Sequence, residues 1–321
     1  MTDMREKKTI TVFGATGSQG GALVRAILAD EDGEFAVRAV TRTPESDRAK
    51  ELERLGAEVV RADMDDRTSL VPAFEGAYGA YLVTNFWEHM SAAREKAQAA
   101  ALAAAAGHAG IQHAIWSTLE DTRECIPLDD DRMPTLQERY KVPHFDAKAE
   151  ADRYFLDAGV PTTFLRTTFY WENLLGPFAP RRGENGVLEL SLPMGTSRLA
   201  GIAVEDIGRT ALAILKRGTD LIAATVSIAG EHLTLTDMAK AVTEALGEPV
   251  QYLPLTPDAY RELDFPGADE AGNMFQYYAD CEEHFTRARD LDAVRELNPL
   301  LQDFATWLAV HQDQLRAAIG P

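Results

Sequence analysis

Ile10-Thr11-Val12-Phe13 runs directly into Gly14-Ala15-Thr16-Gly17-Ser18-Gln19-Gly20-Gly21, and that into Ala22-Leu23-Val24-Arg25. The first four residues are β-branched or apolar, the next eight are rich in glycine, and the last four are helix formers. The order is strand, tight turn, helix. In such a turn Gly14 permits the reversal, Gly17 lets backbone approach a pyrophosphate, and Gly20 lets helix pack on strand. The helix N-terminus supplies amide donors and partial positive charge. The arrangement predicts a dinucleotide site on a Rossmann-type domain, with Ser18 in the same turn.

Outward from the turn, the chain as far as Arg166 alternates short apolar runs with helical patterns. Strands are predicted at Ile10–Phe13, Ala36–Thr41, Ala57–Ala62, Ala80–Val83, His113–Ser117 and Thr162–Leu165. Helices are predicted at Gly20–Leu28, Asp47–Leu55, Ser69–Phe74, Ser91–Ala106 and Pro143–Asp157. This is a doubly wound parallel α/β sheet, and right-handed crossovers bring every strand's C-terminal end to one edge, where ligands bind. Residues 1–166 form the expected dinucleotide-binding domain. Residues 167–321 form a smaller α/β substrate or partner domain, with some crossing of the chain between the two. It opens with a loop-rich stretch carrying Pro177, Pro180, Gly183, Gly186, Pro193 and Gly195. A helix at Val204–Lys216, a strand at Ala224–Ile228, a helix at Thr236–Leu246 and a terminal amphipathic helix at Leu301–Leu315 complete it.

The composition, 45% apolar with a formal charge of −19, is that of a globular protein that repels phosphate backbones and anionic lipid surfaces. Neither nucleic acid nor a membrane is expected as a partner. Cys125 and Cys281 are too few and too distant in sequence for a disulfide framework or a metal cluster, so reduced thiols, a cytoplasmic location and no bound metal are expected. Met1–Lys8 is polar and lacks the apolar stretch of a secretory signal. The alanine run Ala97–Ala106 follows Arg94, Glu95 and Lys96 and is too short to span a bilayer, so it reads as a tightly packed helix.

Candidate site residues fall at the strand ends. Arg42, after the second strand, suits a ribose 2′-phosphate, with Glu45 and Asp47 close enough to complicate its field. One of Asp63, Asp65 and Asp66 would meet the adenine edge, with Asp63 the first choice, and the others would cap a helix. After the fourth strand, Asn85 and Phe86 of Thr84-Asn85-Phe86-Trp87-Glu88 would face the nicotinamide half while Trp87 packs. After the sixth, Phe169-Tyr170-Trp171-Glu172-Asn173 offers Tyr170 and Asn173 to the cofactor, or an aromatic lid. Short-chain dehydrogenases pair a tyrosine with a lysine four residues on, so that the cation lowers the tyrosine pKa. Here Lys148 is in place and Ser117 ends the fifth strand, but the tyrosine position holds His144. Beside a cation, an imidazole is a poor proton donor at neutral pH. His144, Lys148 and Ser117 are therefore catalytic candidates without a complete triad. Lys148 retains a second role on the ribose hydroxyls, and His144 one as a wall of the nicotinamide pocket.

With these segments laid out, the chain resembles the NmrA-like family of atypical short-chain dehydrogenase relatives, and within it the HSCARG-type NADPH-sensor branch. The carrying segments are Gly14–Gly21, Val40–Pro44, Thr84–Glu88, His144–Lys148, Glu172-Asn173-Leu174-Leu175, and Phe265–Ala268 with Asn273-Met274-Phe275. The resemblance implies NADP(H) as cofactor, with contacts carried by position onto Gly14, Thr16, Gly17, Gln19, Gly20, Arg42, Asn85 and Lys148. It also implies a redox sensor acting through a regulated protein partner, without tyrosine-dependent dehydrogenase activity. An NADPH-dependent oxidoreductase acting on a quinone or small carbonyl compound is the rival reading. A homodimer is common among Rossmann relatives. One departure stands out: Glu45, Ser46 and Asp47 replace the basic residues that follow the arginine in the sensors.

Overall fold

The computed structural model describes residues 7–31 and 33–320; the first six residues of the polar N-terminal segment lie outside them. The chain divides into two units.

The first unit comprises residues 1–121, 144–167 and 207–226. Its elements in chain order are β1 (Lys8–Val12), α1 (Ser18–Ala29), β2 (Phe35–Thr41), α2 (Asp47–Arg54), β3 (Glu58–Arg61), α3 (Arg67–Phe74) and β4 (Gly79–Leu82). They continue with α4 (Ala92–Ala109), β5 (His113–Thr118), α5 (Pro143–Asp157) and β6 (Thr162–Arg166). After β7 (Phe169–Tyr170), β8 (Arg181–Arg182), β9 (Leu188–Leu190) and β10 (Arg198–Ile202), the chain returns with α6 (Val204–Arg217) and β11 (Thr225–Ser227). The seven-stranded sheet runs β11-β6-β5-β4-β1-β2-β3. Its pairs β3/β2, β2/β1, β1/β4, β4/β5 and β5/β6 are all parallel. This is the doubly wound Rossmann architecture, and the order reverses between β1 and β4, which places its ligand crevice at their C-terminal ends. The strand expected at Ala224–Ile228 for the second domain is β11 of this sheet, where the Phe164 amide donates to the Ala224 carbonyl at 2.9 Å.

Alanine content explains how α4 lies so close. Ala99, Ala103 and Ala106 are buried in one cluster with Leu102, Phe74 and Trp116. Short side chains let backbones approach at interior packing density, where one added methylene must displace a neighbour. The helix carries its own stops: Ser91 accepts from the Arg94 amide at its start, and Gly110 ends it at φ 70°.

The second unit comprises residues 122–143, 168–206 and 227–321. Its remaining elements are β12 (Glu231–Thr234), α7 (Leu235–Leu246), β13 (Val250–Tyr252), α8 (Pro257–Arg261), α9 (Ala268–Asp280), α10 (Glu282–Arg287), α11 (Leu291–Leu297) and α12 (Phe304–Ile319). Two small sheets, β12-β10-β7 and β13-β9-β8, accompany them. Helices α8 to α11 lie where no element was expected. The most buried, α9, hides all residues from Ala271 to Tyr278; its polar stripe of Asp269, Asn273, Gln276 and Asp280 recurs at helical spacing, but Asn273 and Gln276 are turned to protein and not to solvent. The terminal helix starts later than expected because Asp303, not Leu301, caps it, accepting from the Thr306 amide at 2.8 Å.

The segment 122–143 is held to α9 by backbone recognition. Asn273 donates to the carbonyls of Pro134 (2.9 Å) and Lys141 (2.6 Å), and Gln276 donates to that of Arg132 at 2.8 Å. The Lys141 ammonium closes the segment on itself through the Asp130 (2.8 Å) and Met133 (2.7 Å) carbonyls. Cys125 and Cys281 form a disulfide with their Cα atoms 6.4 Å apart. The expectation of reduced thiols is thereby corrected: a separation of 156 residues in sequence is no separation once α9 packs on this segment.

Candidate functional site

Everything at the β1–α1 turn follows from its backbone. Gly14 has φ +65°, a conformation that side chains resist. A Cβ on Gly20 would fall 2.5 Å from the Gly14 carbonyl oxygen and 2.8 Å from that of Phe13, so only glycine lets α1 start this close to β1. Gly17 begins α1 with no side-chain cap, and the first turn holds no acidic residue. These amide dipoles suit an anion such as a pyrophosphate. Thr16 is half-buried and Ser18 exposed, within the turn as expected.

Gln19 has a partner set that sequence spacing concealed. Its side-chain oxygen accepts from the Tyr81 hydroxyl on β4 and, at 2.8 Å, from Ser117 at the end of β5. Ser117, a catalytic candidate, is 2% exposed and has its hydroxyl turned to the glycine turn. In the sequence Tyr81 reads as one more apolar residue of a buried strand; the fold turns its hydroxyl to Gln19.

Lys148 lies one turn into α5, buried, and its ammonium is spoken for. It donates to the Thr84 hydroxyl at 2.7 Å and carbonyl at 3.2 Å, and lies 2.7 Å from Glu95 Oε1. Glu95, in sequence a charged flank of the alanine helix, is fully buried. Burial alone would push its carboxyl up, but Lys148, His89 and Thr84 bring it down to about 2. The same Thr84 hydroxyl donates to Glu95. Nearby, Asp152 accepts from the Trp116 indole at 2.9 Å, and its burial pushes it up to about 6 against the pull of Thr118 and Trp116.

His144 sits at the start of α5 against aromatic rings: Trp87 at 5.0 Å, Phe86 at 5.6 Å and Phe145 at 4.8 Å between centroids. Phe86 is buried beneath, whereas Trp87 is 45% exposed and so does not pack away as expected. Asn85 is exposed just before it, its carbonyl accepting from the Glu88 amide at 3.3 Å.

At the β2–β3 edge, Arg42 is paired with Glu88 across the crevice. The nearer acids leave Arg42 alone: Glu45 faces Arg61 at 4.0 Å, and Asp47 opens α2 behind the Ser46 cap. The three aspartates after β3 divide their work. Asp66 caps α3, Asp65 binds Arg94 and Gln98, and half-buried Asp63 spends one oxygen on the Asp65 amide at 3.0 Å. Tyr170 and Asn173 belong to the second unit, where Tyr170 pairs with Ile202 and the Asn173 carbonyl accepts from the Gly176 and Phe178 amides. Among the described residues, no group of His, Cys, Asp and Glu is arranged to hold a metal, and no helix is long and apolar enough to cross a membrane.

Comparison with known proteins extends over nearly the whole chain. The family model described as the NmrA-like family matches residues 6–308. An NmrA-like family domain-containing oxidoreductase, notA of Aspergillus sp. (strain MF297-2), is 29% identical over 306 residues, covering 88% of this chain and 85% of its own. Among solved structures, NmrA, a negative transcriptional regulator in complex with NADP, superposes with a TM-score of 0.76 at 24% identity, covering 95% of each chain. The same regulator in complex with NAD gives 0.78 at 23% identity and the same coverage. An NADPH-dependent quinone oxidoreductase from Escherichia coli, complexed with NADPH, gives 0.73 at 20% identity, covering 95% of this chain and 99% of that one. At these identities the structural likeness speaks for the fold.

Proposed function

The chain belongs to the NmrA-like family, and on that premise we propose that it binds NADP(H) at the β1–α1 turn as a redox sensor of the HSCARG type, without tyrosine-dependent dehydrogenase chemistry. The observation that carries this reading is the commitment of the would-be catalytic groups. Ser117 donates to Gln19, and Lys148 spends its donors on Thr84 and Glu95. No tyrosine stands four residues before Lys148. A site so wired holds a dinucleotide without a proton relay to a bound carbonyl. The glycine cradle at Gly20, the uncapped α1 terminus and the Arg42 fork fit the pyrophosphate and the adenosine ribose phosphate. Sensing then requires that NADPH and NADP bind two conformations, or a partner-bound form, with different affinity.

A second reading has its own support. The relative notA is named an oxidoreductase, and Trp87 stands open beside His144. A planar quinone stacked on that indole would take hydride from NADPH and its proton from water, with no tyrosine required.

Calorimetric titration with NADPH, together with NADPH oxidation followed across a panel of quinones and aldehydes, separates the two. Tight binding without turnover supports the sensor. Sustained turnover of a quinone or aldehyde replaces it with the reductase, and absence of binding removes both.

A further inference from the structure

Glu88 is the one acid that bonds the guanidinium of Arg42 among the described residues, and it does so from the opposite lip of the crevice, 46 residues along the chain. The pair is open to water, with side-chain exposures of 52% for Arg42 and 42% for Glu88. The carboxylate takes Nη1 alone. Among the described residues nothing bonds the edge formed by Nε and Nη2, and that edge has the geometry for bidentate phosphate. Around it the charges already balance: Arg94 is paired with Asp65, and Asp63 lies close enough to act on Arg42 through space. Arg94, the other guanidinium that acts on Arg42 through space, is thus spent on Asp65, and the Arg42 fork left for an extra phosphate is partly neutralised by Glu88.

We propose that Glu88 sets the cofactor selectivity of this protein by sharing Arg42 with the ribose 2′-phosphate, so that NADP(H) is preferred over NAD(H) only weakly. The inference rests on the reading of Arg42 as the 2′-phosphate ligand. NAD(H) leaves the Arg42–Glu88 pair as it stands. NADP(H) brings about two further negative charges against the same guanidinium and must oppose the Glu88 carboxylate to reach it. Because an exposed pair is weak, the effect is a graded handicap and not a block. Glu88 sits in the short turn Phe86–Glu88 that also carries Trp87, so the group that reads the 2′-phosphate is continuous with the aromatic surface beside His144.

The test is a parallel calorimetric titration of the wild-type protein, Glu88→Gln and Arg42→Gln with NADPH and with NADH. Glu88→Gln keeps the size of the side chain and removes its charge. The expected result is a rise of about fivefold in the NADPH-to-NADH affinity ratio in Glu88→Gln, the scale of one exposed ion pair, with NADH affinity unchanged. The gain should shrink in high salt, where exposed charges are screened. An unchanged ratio in Glu88→Gln, with NADPH binding lost in Arg42→Gln, overturns the role of Glu88 and leaves Arg42 in place. An Arg42→Gln protein that binds NADPH as the wild type does overturns the reading of Arg42 and this proposal with it.

Discussion

The Lys148 ammonium lies 2.7 Å from the Glu95 carboxylate, and both side chains are buried. In a low-dielectric interior such a pair is costly to break from one side, because the survivor remains buried and unpaired. Lys148→Met should therefore destabilise the protein by about 3–5 kcal/mol, whatever Lys148 does for a ligand. The double variant Lys148→Met with Glu95→Gln should recover most of that loss. Chemical denaturation of the four proteins of the cycle measures it. Equal destabilisation of single and double variants would show that the pair is not the cause. Loss of function in a Lys148 single variant is accordingly no evidence of catalysis until its stability is known.

Asp152 carries the opposite sign. Its carboxyl is pushed up to about 6 by burial, so the folded state holds a proton that the unfolded chain has already released. Stability then falls as pH rises from the ordinary aspartate range, near 4, to about 6, and stays lower above it. The whole effect is of the order of 3 kcal/mol. Asp152→Asn keeps an acceptor for the Trp116 indole and should flatten that limb of the stability profile, leaving the variant the more stable protein at pH 8. Thermal melts from pH 4 to pH 8 decide it; a variant less stable at pH 8 would mean that the charged form is favoured in the fold.

The Cys125–Cys281 disulfide joins residues 156 apart, so it restricts a large part of the unfolded chain. Cys125→Ser should lower stability by about 2–4 kcal/mol in non-reducing buffer. Dithiothreitol should lower the wild type to the same level and leave the variant untouched. The segment 122–143 should nonetheless stay ordered, since Asn273 and Gln276 still bind its carbonyls. Hydrogen exchange of that segment, with and without reductant, checks the second half of the expectation.

At Gly20 the prediction is steric. An alanine there meets two carbonyl oxygens inside van der Waals distance. Gly20→Ala should cost about 1–3 kcal/mol and displace the start of α1, taking dinucleotide binding with it. Retention of wild-type affinity would mean that the turn has room that its geometry denies.

How much of this was readable beforehand depends on whether the signal is local. Gly14 to Gly20 announces its turn through residue types that the backbone requires in consecutive positions. A central strand such as β4 declares itself as a continuous apolar run, because it is buried along its whole length. Right-handed crossovers put the C-terminal ends of the strands on one edge, but the strand order and the switch point between β1 and β4 appear only in the folded sheet. The replacement of a tyrosine by His144 is likewise a fact of spacing along one helix. The partner of each charged side chain is not. Arg42 has acids at positions 45 and 47, yet the sheet carries Glu88 to it and sends Glu45 to Arg61. Glu95 looks like a solvated flank until α4 is laid on the sheet, where it meets Lys148. The polar stripe of helix α9, Asp269, Asn273, Gln276 and Asp280, stands in the sequence, but that Asn273 and Gln276 bind the segment 122–143 does not, and the pairing of the two cysteines waited on that same contact. Sequence determined the βα units as far as Arg166 and the glycine cradle through short-range backbone and patterning requirements. Which charges neutralise one another was decided only when packing brought distant residues within a few ångströms, the range over which ion pairs act.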